Sequence, residues 1–153
     1  KIMNFHIRPA TIDDAPAISA LLCAVVTQSC EADHEGEAEA IADWLSGFTP
    51  ARLLEQLHNT SCHWLATQQD RVVGYAALDA RGELTQLYVA ANSQQQGIGI
   101  MLLAAVELSA RDMGLSHIML ATTLTARAFF RAHGFIPTRP DFAEWLEKPL
   151  QQH

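Results

Sequence analysis

Basic residues are scarce in this chain: ten Lys and Arg stand against 17 Asp and Glu, a formal net charge of −7. That shortage argues against binding nucleic acid or an anionic membrane through bulk charge, and it suits a cationic partner better. Cysteine is scarce too. Cys23, Cys30 and Cys62 are odd in number and show no paired spacing. Such a set gives no disulfide framework and fits a reducing compartment, so a cytoplasmic location is expected. No apolar run approaches the length of a membrane span, and the start does not read as a secretory signal. Internal repeats, low-complexity tracts and linkers are also missing. What remains is a chain of 153 residues that is 49% hydrophobic, which argues against disorder and fits one domain over 1–153.

The order of elements predicts an α/β domain with a mixed sheet. Phe5–Arg8 alternates and stops at Pro9, a short first strand. Thr11 precedes two acids and then Ile18, Leu21, Leu22, Val25 and Val26, a helix running to about Gln28. Cys30–Gly36 reads as a loop and Glu37–Leu45 as a short helix. Thr49-Pro50 opens a further helix with Leu53, Leu54 and Leu57 on one stripe. The period then changes to two. Cys62–Thr67, Arg71–Leu78 and Glu83–Val89, separated by Gln69-Asp70 and Arg81-Gly82, predict an antiparallel meander. A long helix follows with Met101, Leu102, Ala105, Val106 and Leu108 toward the sheet, stopped by Gly114. His117–Ala121 is a buried strand parallel to the one before the helix. Thr123 or Thr125 caps a last helix that Gly134 ends, and the proline-bearing tail Phe135–Leu150 returns as one or two edge strands.

Between the third meander strand and the long helix lies Gln94-Gln95-Gln96-Gly97-Ile98-Gly99. Two glycines two apart at a helix start suit a phosphate cradle. Glycine lets main chain approach a ligand closely, and the first-turn N–H groups and the helix dipole favour an anion. Alone the pattern fits an ordinary strand-to-helix turn equally well. A second motif lies downstream, Ala126-Arg127-Ala128-Phe129-Phe130-Arg131-Ala132-His133-Gly134-Phe135, an alanine and an aromatic pair followed by Gly-Phe.

The two motifs together resemble the GNAT superfamily of N-acetyltransferases, whose hallmark turn is Gln/Arg-x-x-Gly-x-Gly/Ala. The likeness covers nearly the whole chain, with the region before Cys62 matching in element order only. It implies the GNAT fold: a central, mostly antiparallel sheet of six to seven strands with a splayed parallel pair and flanking helices. It also implies acetyl-CoA as co-substrate and no metal. The pantetheine arm would lie on Leu87, Tyr88 and Val89. The diphosphate would sit on the main chain of Gln94, Gln95, Gln96, Gly97, Ile98, Gly99 and Ile100. Thr123, Ala126, Phe129 and Phe130 would complete the cofactor side. Many members carry glycine at the position of Gln95 and a base at Gln96, so this cradle would work through backbone alone. A Phe-Phe pair resembles a bacterial branch of the superfamily.

Acetyl transfer in this family is direct. A neutral amine attacks the thioester, and losing the amine proton calls for a general base. Glu83 falls, by an ungapped count back from Gln94, where one branch carries its base glutamate; a solvated acid at a strand start is the alternative. Phe130 replaces the tyrosine that serves many members as general acid. The thiolate then leaves unassisted, or Tyr75, Tyr88, His133 or water donates, or the protein binds CoA without fast turnover. The first is the favoured account. His133 reads otherwise as a helix C-terminal residue satisfying carbonyls, Tyr88 as packing on its strand and Tyr75 as core.

From Glu31 to Asp43 there are six acids and no lysine or arginine. Either they form a solvated face or they rim the acceptor site and draw in a cationic amine. Trp44 and Phe48 would add an aromatic wall or belong to the core. Cys30-x-x-x-His34 has poor spacing for a metal and lacks a fourth strong ligand. The expectation is an N-acetyltransferase acting on a primary amine, with no nucleic-acid or membrane partner and a homodimer as in relatives. A CoA-sensing module is the other class left open; an aminoacyl-tRNA acetyltransferase would need a basic face that the charge denies.

Overall fold

Gln69 and Asp70 both take positive φ, 54° and 64°, the conformation that a two-residue hairpin turn requires. They join β2 (Cys62–Gln68) to β3 (Arg71–Leu78), and β4 (Leu84–Val89) pairs antiparallel with β3. The meander is as the alternation predicts. The computed structural model describes residues 4–28, 45–59, 62–93, 96–122, 124–138 and 144–150. The remaining elements are β1 (His6–Pro9), α1 (Ala15–Gln28), α2 (Pro50–Asn59), α3 (Ile98–Asp112), β5 (His117–Ala121), α4 (Leu124–Ala132), β6 (Ile136–Pro137) and β7 (Trp145–Pro149). Short 3-10 turns cover Ile12–Asp14 and Ala91–Ser93.

The strands divide into two sheets, ordered β1-β2-β3-β4 and β5-β7-β6. β4 and β5 meet in one parallel bridge, Glu83 to Met119, with the Met119 N–H donating to the Gly82 carbonyl at 2.9 Å. Past that bridge the two strands are not paired, so the expected splayed parallel pair is present as a joint between sheets. The tail differs from its prediction. β7 lies between β5 and β6, and only the two-residue β6 is an edge. Pro137 sits on that edge and Pro149 at the end of β7, where a missing N–H does least harm.

Each face of the larger sheet carries its own core. On one face α1 buries Ile18, Leu21, Leu22, Val25 and Val26, as its spacing predicts, against Leu65, Tyr75 and Ala77. Thr49 caps α2, its hydroxyl accepting from the Arg52 N–H at 3.3 Å, and Leu53 is fully buried. Leu54 lies 40% exposed, off the predicted stripe. On the other face α3 buries Ile98, Leu102, Leu103, Val106 and Ala110. Met101 and Leu108, expected inward, are exposed, because they sit more than a quarter-turn from the stripe centred between Leu102 and Val106. Gly74 sets how close α3 comes. A methyl there would meet Leu102 at 2.9 Å, Ile98 at 3.1 Å and Ala66 at 3.2 Å. The first turns of α3 therefore rest on bare β3 main chain.

Candidate functional site

β4 delivers the chain to the start of α3, and local geometry there is dictated by Gly97. It takes φ 84° and stands as the residue ahead of the helix. A side chain in that left-handed conformation is strained. The first i to i−4 bond of α3 runs from the Met101 N–H to the Gly97 carbonyl at 3.1 Å. The N–H groups of Ile98, Gly99 and Ile100 therefore precede the helical ladder, and the fifteen-residue helix adds its positive dipole end. Ile98 is buried and Ile100 is 48% exposed, so the turn is anchored by one side chain and presents main chain beside it. Gln94 and Gln95 lie outside the described residues.

Three elements converge on Gly99. A methyl placed there would lie 3.5 Å from the Phe129 ring and 3.8 Å from Val89. The end of β4, the first turn of α3 and the middle of α4 thus meet around one small residue. Ordinary contact at that distance leaves room for alanine, in keeping with Gly or Ala at this motif position. Ala126 and Phe129 are half-buried and pack on the same core. Helix α4 begins at Leu124, so Thr125 lies within it and is not the cap; Thr123 is outside the described residues.

Which main-chain groups of β4 face away from β3 follows from its ladder. The Ala90 N–H donates to the Val73 carbonyl at 2.8 Å. Antiparallel alternation then assigns the Tyr88 main chain to β3 and turns that of Leu87 and Val89 toward β5. The side chain of Tyr88 goes to the other face, edge-on to Phe48 with centroids 6.1 Å apart. Phe48 itself is buried, so it is core and not a free aromatic wall. A bulge between Ala77 and Leu78 leaves Thr85 as the extra residue of β4, just past the bridge.

Glu83 stands at the closed end of the splay, in the bridge to Met119. Its carboxylate is 27% exposed and 3.7 Å from the Arg81 guanidinium, which is itself largely in solvent. Asp79 holds the turn before it, accepting the N–H groups of Arg81 at 2.9 Å and Glu83 at 3.0 Å. The acid is thus fixed by its backbone and left accessible.

The proton-donor candidates sort cleanly. Phe130 is buried and edge-on to Phe135, centroids 5.4 Å apart, so its ring belongs to the core between α4 and the second sheet. The His133 Nδ1–H donates to the Phe129 carbonyl at 2.8 Å, the helix-end role its position predicts. Tyr75 is wholly buried, and loss of water pushes its phenol up from its usual range. Its hydroxyl lies 2.7 Å from His63 Nδ1. His63 and Gln86 flank Ala77 in register across β2, β3 and β4, on the α1 face. The Gln86 Oε1 is buried and accepts no hydrogen bond. Strand alternation marks these residues as inward, but no motif marks them as functional. The acids from Glu31 to Asp43, Trp44, Cys30 and His34 lie outside the described residues. Among the described residues no cluster of His, Cys, Asp and Glu is suited to a metal, and no helix is long and apolar enough to cross a membrane.

A splayed parallel pair, a glycine turn at its open end and an aromatic helix laid over that turn define an acyltransferase-type scaffold. The family model described as an acetyltransferase (GNAT) domain matches residues 22–145, and the chain belongs to that family. Human N-acetyltransferase 8 is 32% identical over 94 residues, which cover 54% of this chain. The match spans 41% of the length of that relative. The PaiA N-acetyltransferase of Thermoplasma acidophilum, solved in complex with coenzyme A, superposes with a TM-score of 0.83 at 20% identity, over 96% of this chain and 99% of that one. A GCN5-related N-acetyltransferase from Rhodopseudomonas palustris superposes with a TM-score of 0.84 at 23% identity, over 98% and 99%.

Proposed function

We propose that the protein transfers the acetyl group of acetyl-CoA to a primary amine by direct attack in a ternary complex. The observation that carries this reading is the convergence of β4, the Gly97–Gly99 turn and Phe129 at the open end of the β4–β5 splay. The residues fit the donor. The first-turn N–H groups of α3 suit a diphosphate without any basic side chain. Leu87 and Val89 turn main-chain groups toward an extended arm, as an added strand would be met. Ala126 and Phe129 line the opposite wall. The complex of the Thermoplasma relative with coenzyme A supports the same donor here.

In this reading Glu83, directly or through water, takes the proton from the incoming ammonium. The freed nitrogen lone pair forms the C–N bond, the C–S bond breaks, the sulfur leaves as thiolate, and the nitrogen gives up its second proton to that thiolate or to water. No tyrosine stands at Phe130 to protonate it. A thiol is acidic enough to leave unassisted, and the Phe129–Phe130 pair resembles that of a bacterial branch of the superfamily. The acceptor enters from the α1 and α2 side. A single domain, a cytoplasmic setting, a cationic amine drawn by the acidic Glu31–Asp43 stretch and a homodimer complete the proposal.

Phe130 also favours a second reading, a CoA-binding module without fast turnover. Native mass spectrometry for bound CoA, then an amine panel scored by thiol release, separates the two. Amine-dependent release supports transfer. Binding without release supports the module. No binding of acetyl-CoA at millimolar concentration overturns both.

A further inference from the structure

A buried amide in β2 reaches both sides of the glycine turn. Gln68 is 8% exposed at the end of its strand, on the face covered by α3. Its Nε2 donates to Gln96 Oε1 at 3.0 Å, immediately before Gly97. Its Oε1 accepts from the Ser93 hydroxyl at 3.4 Å, immediately before Gln94. Ser93 is 3% exposed, and its N–H donates to the Ala90 carbonyl at 2.9 Å, so it is fixed to the end of β4. One side chain from a strand two positions away in the sheet therefore ties the residue entering the turn to the residue leaving it.

A cradle with no basic side chain binds an anion through oriented dipoles alone. Dipoles help only when they are already aimed, since reorienting them on binding consumes the interaction. Gln68 has both halves of an amide to spend and spends one on each end of the turn. A carboxylate at the same place would lose the donor half and set a negative charge beneath the diphosphate. An aliphatic residue would lose both bonds and leave Gln96 Oε1 and the Ser93 hydroxyl to reorient.

We propose that Gln68 is a positioning residue for the diphosphate cradle, holding Ser93 and Gln96 so that the first-turn N–H groups of α3 are preset for acetyl-CoA. This rests on the acetyl-CoA reading given above. The test compares two donors that share the acetyl thioester and the pantetheine arm but differ in the diphosphate: acetyl-CoA and S-acetylpantetheine. Dissociation constants are measured by calorimetry for the first and by NMR titration for the second. Gln68→Leu should weaken acetyl-CoA about tenfold and S-acetylpantetheine less than about twofold. Gln96→Ala, which removes the partner and keeps the main chain, should reproduce the acetyl-CoA loss. The double variant should lose no more than Gln68→Leu alone, because that change already removes the bond to Gln96. Equal weakening of both donors would mean general damage to the fold and would overturn the proposal, as would additive losses in the double variant. If Gln68→Leu does not fold, Gln96→Ala alone decides, since a donor-independent effect there is equally fatal. Wild-type protein that binds neither donor overturns the acetyl-CoA reading itself; wild-type binding with unchanged variants overturns the clamp alone.

Discussion

On the α3 side of the four-stranded sheet the groups proposed to meet a ligand are main chain; on the α1 side they are side chains. Around Gly97 and Gly99 the N–H groups of three successive residues, and the turned-out main chain of Leu87 and Val89, make the surface. Opposite them Glu83 is accessible while His63 and Tyr75 are buried, and the chemistry of all three lies beyond the Cβ. A main-chain site needs particular backbone angles and tolerates varied side chains. A side-chain site needs particular residues and tolerates many backbones. The two halves should therefore fail under different substitutions.

The largest effect belongs to the side-chain half. Glu83→Gln keeps shape and removes the base, so steady-state assays should show kcat lowered by about 100-fold with the KM for acetyl-CoA unchanged. Rate should recover as pH rises and the amine deprotonates by itself. An unchanged kcat would remove Glu83 from the chemistry and weaken the contrast. Next comes Gly97→Val on the main-chain half. Its φ of 84° is denied to a β-branched residue, and the strain should cost about 10- to 100-fold in acetyl-CoA affinity by calorimetry.

Phe130→Tyr probes the core behind the main-chain half. Its ring is core, so an added hydroxyl without a partner should destabilise by about 1–2 kcal/mol, seen as a lower Tm. Turnover should stay within about twofold if the thiolate leaves unassisted; a marked rise would show that leaving-group protonation limits the reaction. The smallest effect lies at the entry to α1. Arg8 donates two hydrogen bonds to Asp14, at 2.9 and 2.8 Å, and holds its carboxyl below the usual carboxylate range. Folding then binds fewer protons there than the unfolded chain. The stabilisation is present above about pH 4 and is lost as pH falls through the lowered value. Because Arg8 is exposed, screening leaves about 0.5 kcal/mol, and urea titrations of Asp14→Asn should show that difference near neutral pH and not at pH 2–3.

The same contrast explains what could be read beforehand. The turn and the Phe129-Phe130 helix were legible because a backbone site demands glycine at fixed spacing, and glycine is visible in a sequence. The meander was legible because Gln69-Asp70 and Arg81-Gly82 interrupt clean alternation. Met101, Leu108 and Leu54 fall outside their predicted stripes because an apolar-rich helix does not announce where its stripe is centred. β7 was placed at an edge on the strength of its prolines, yet Pro149 closes the strand where no ladder bond is needed. Gln68 and Ser93 were invisible. A glutamine ending one strand and a serine ending another acquire meaning only when the sheet brings them together.

The division of the strands into two sheets also bears on which strand edges are left to meet another chain. A sheet edge is an invitation to another chain. The outward edges here are β1, four residues ending in Pro9, and β6, two residues ending in Pro137. Both are too brief and too interrupted to template a neighbour. The longer edges, β4 and β5, are turned toward each other across a shared joint. An extended ligand arm that adds to the sheet edge here is met between the chain's own strands, at the joint of β4 and β5.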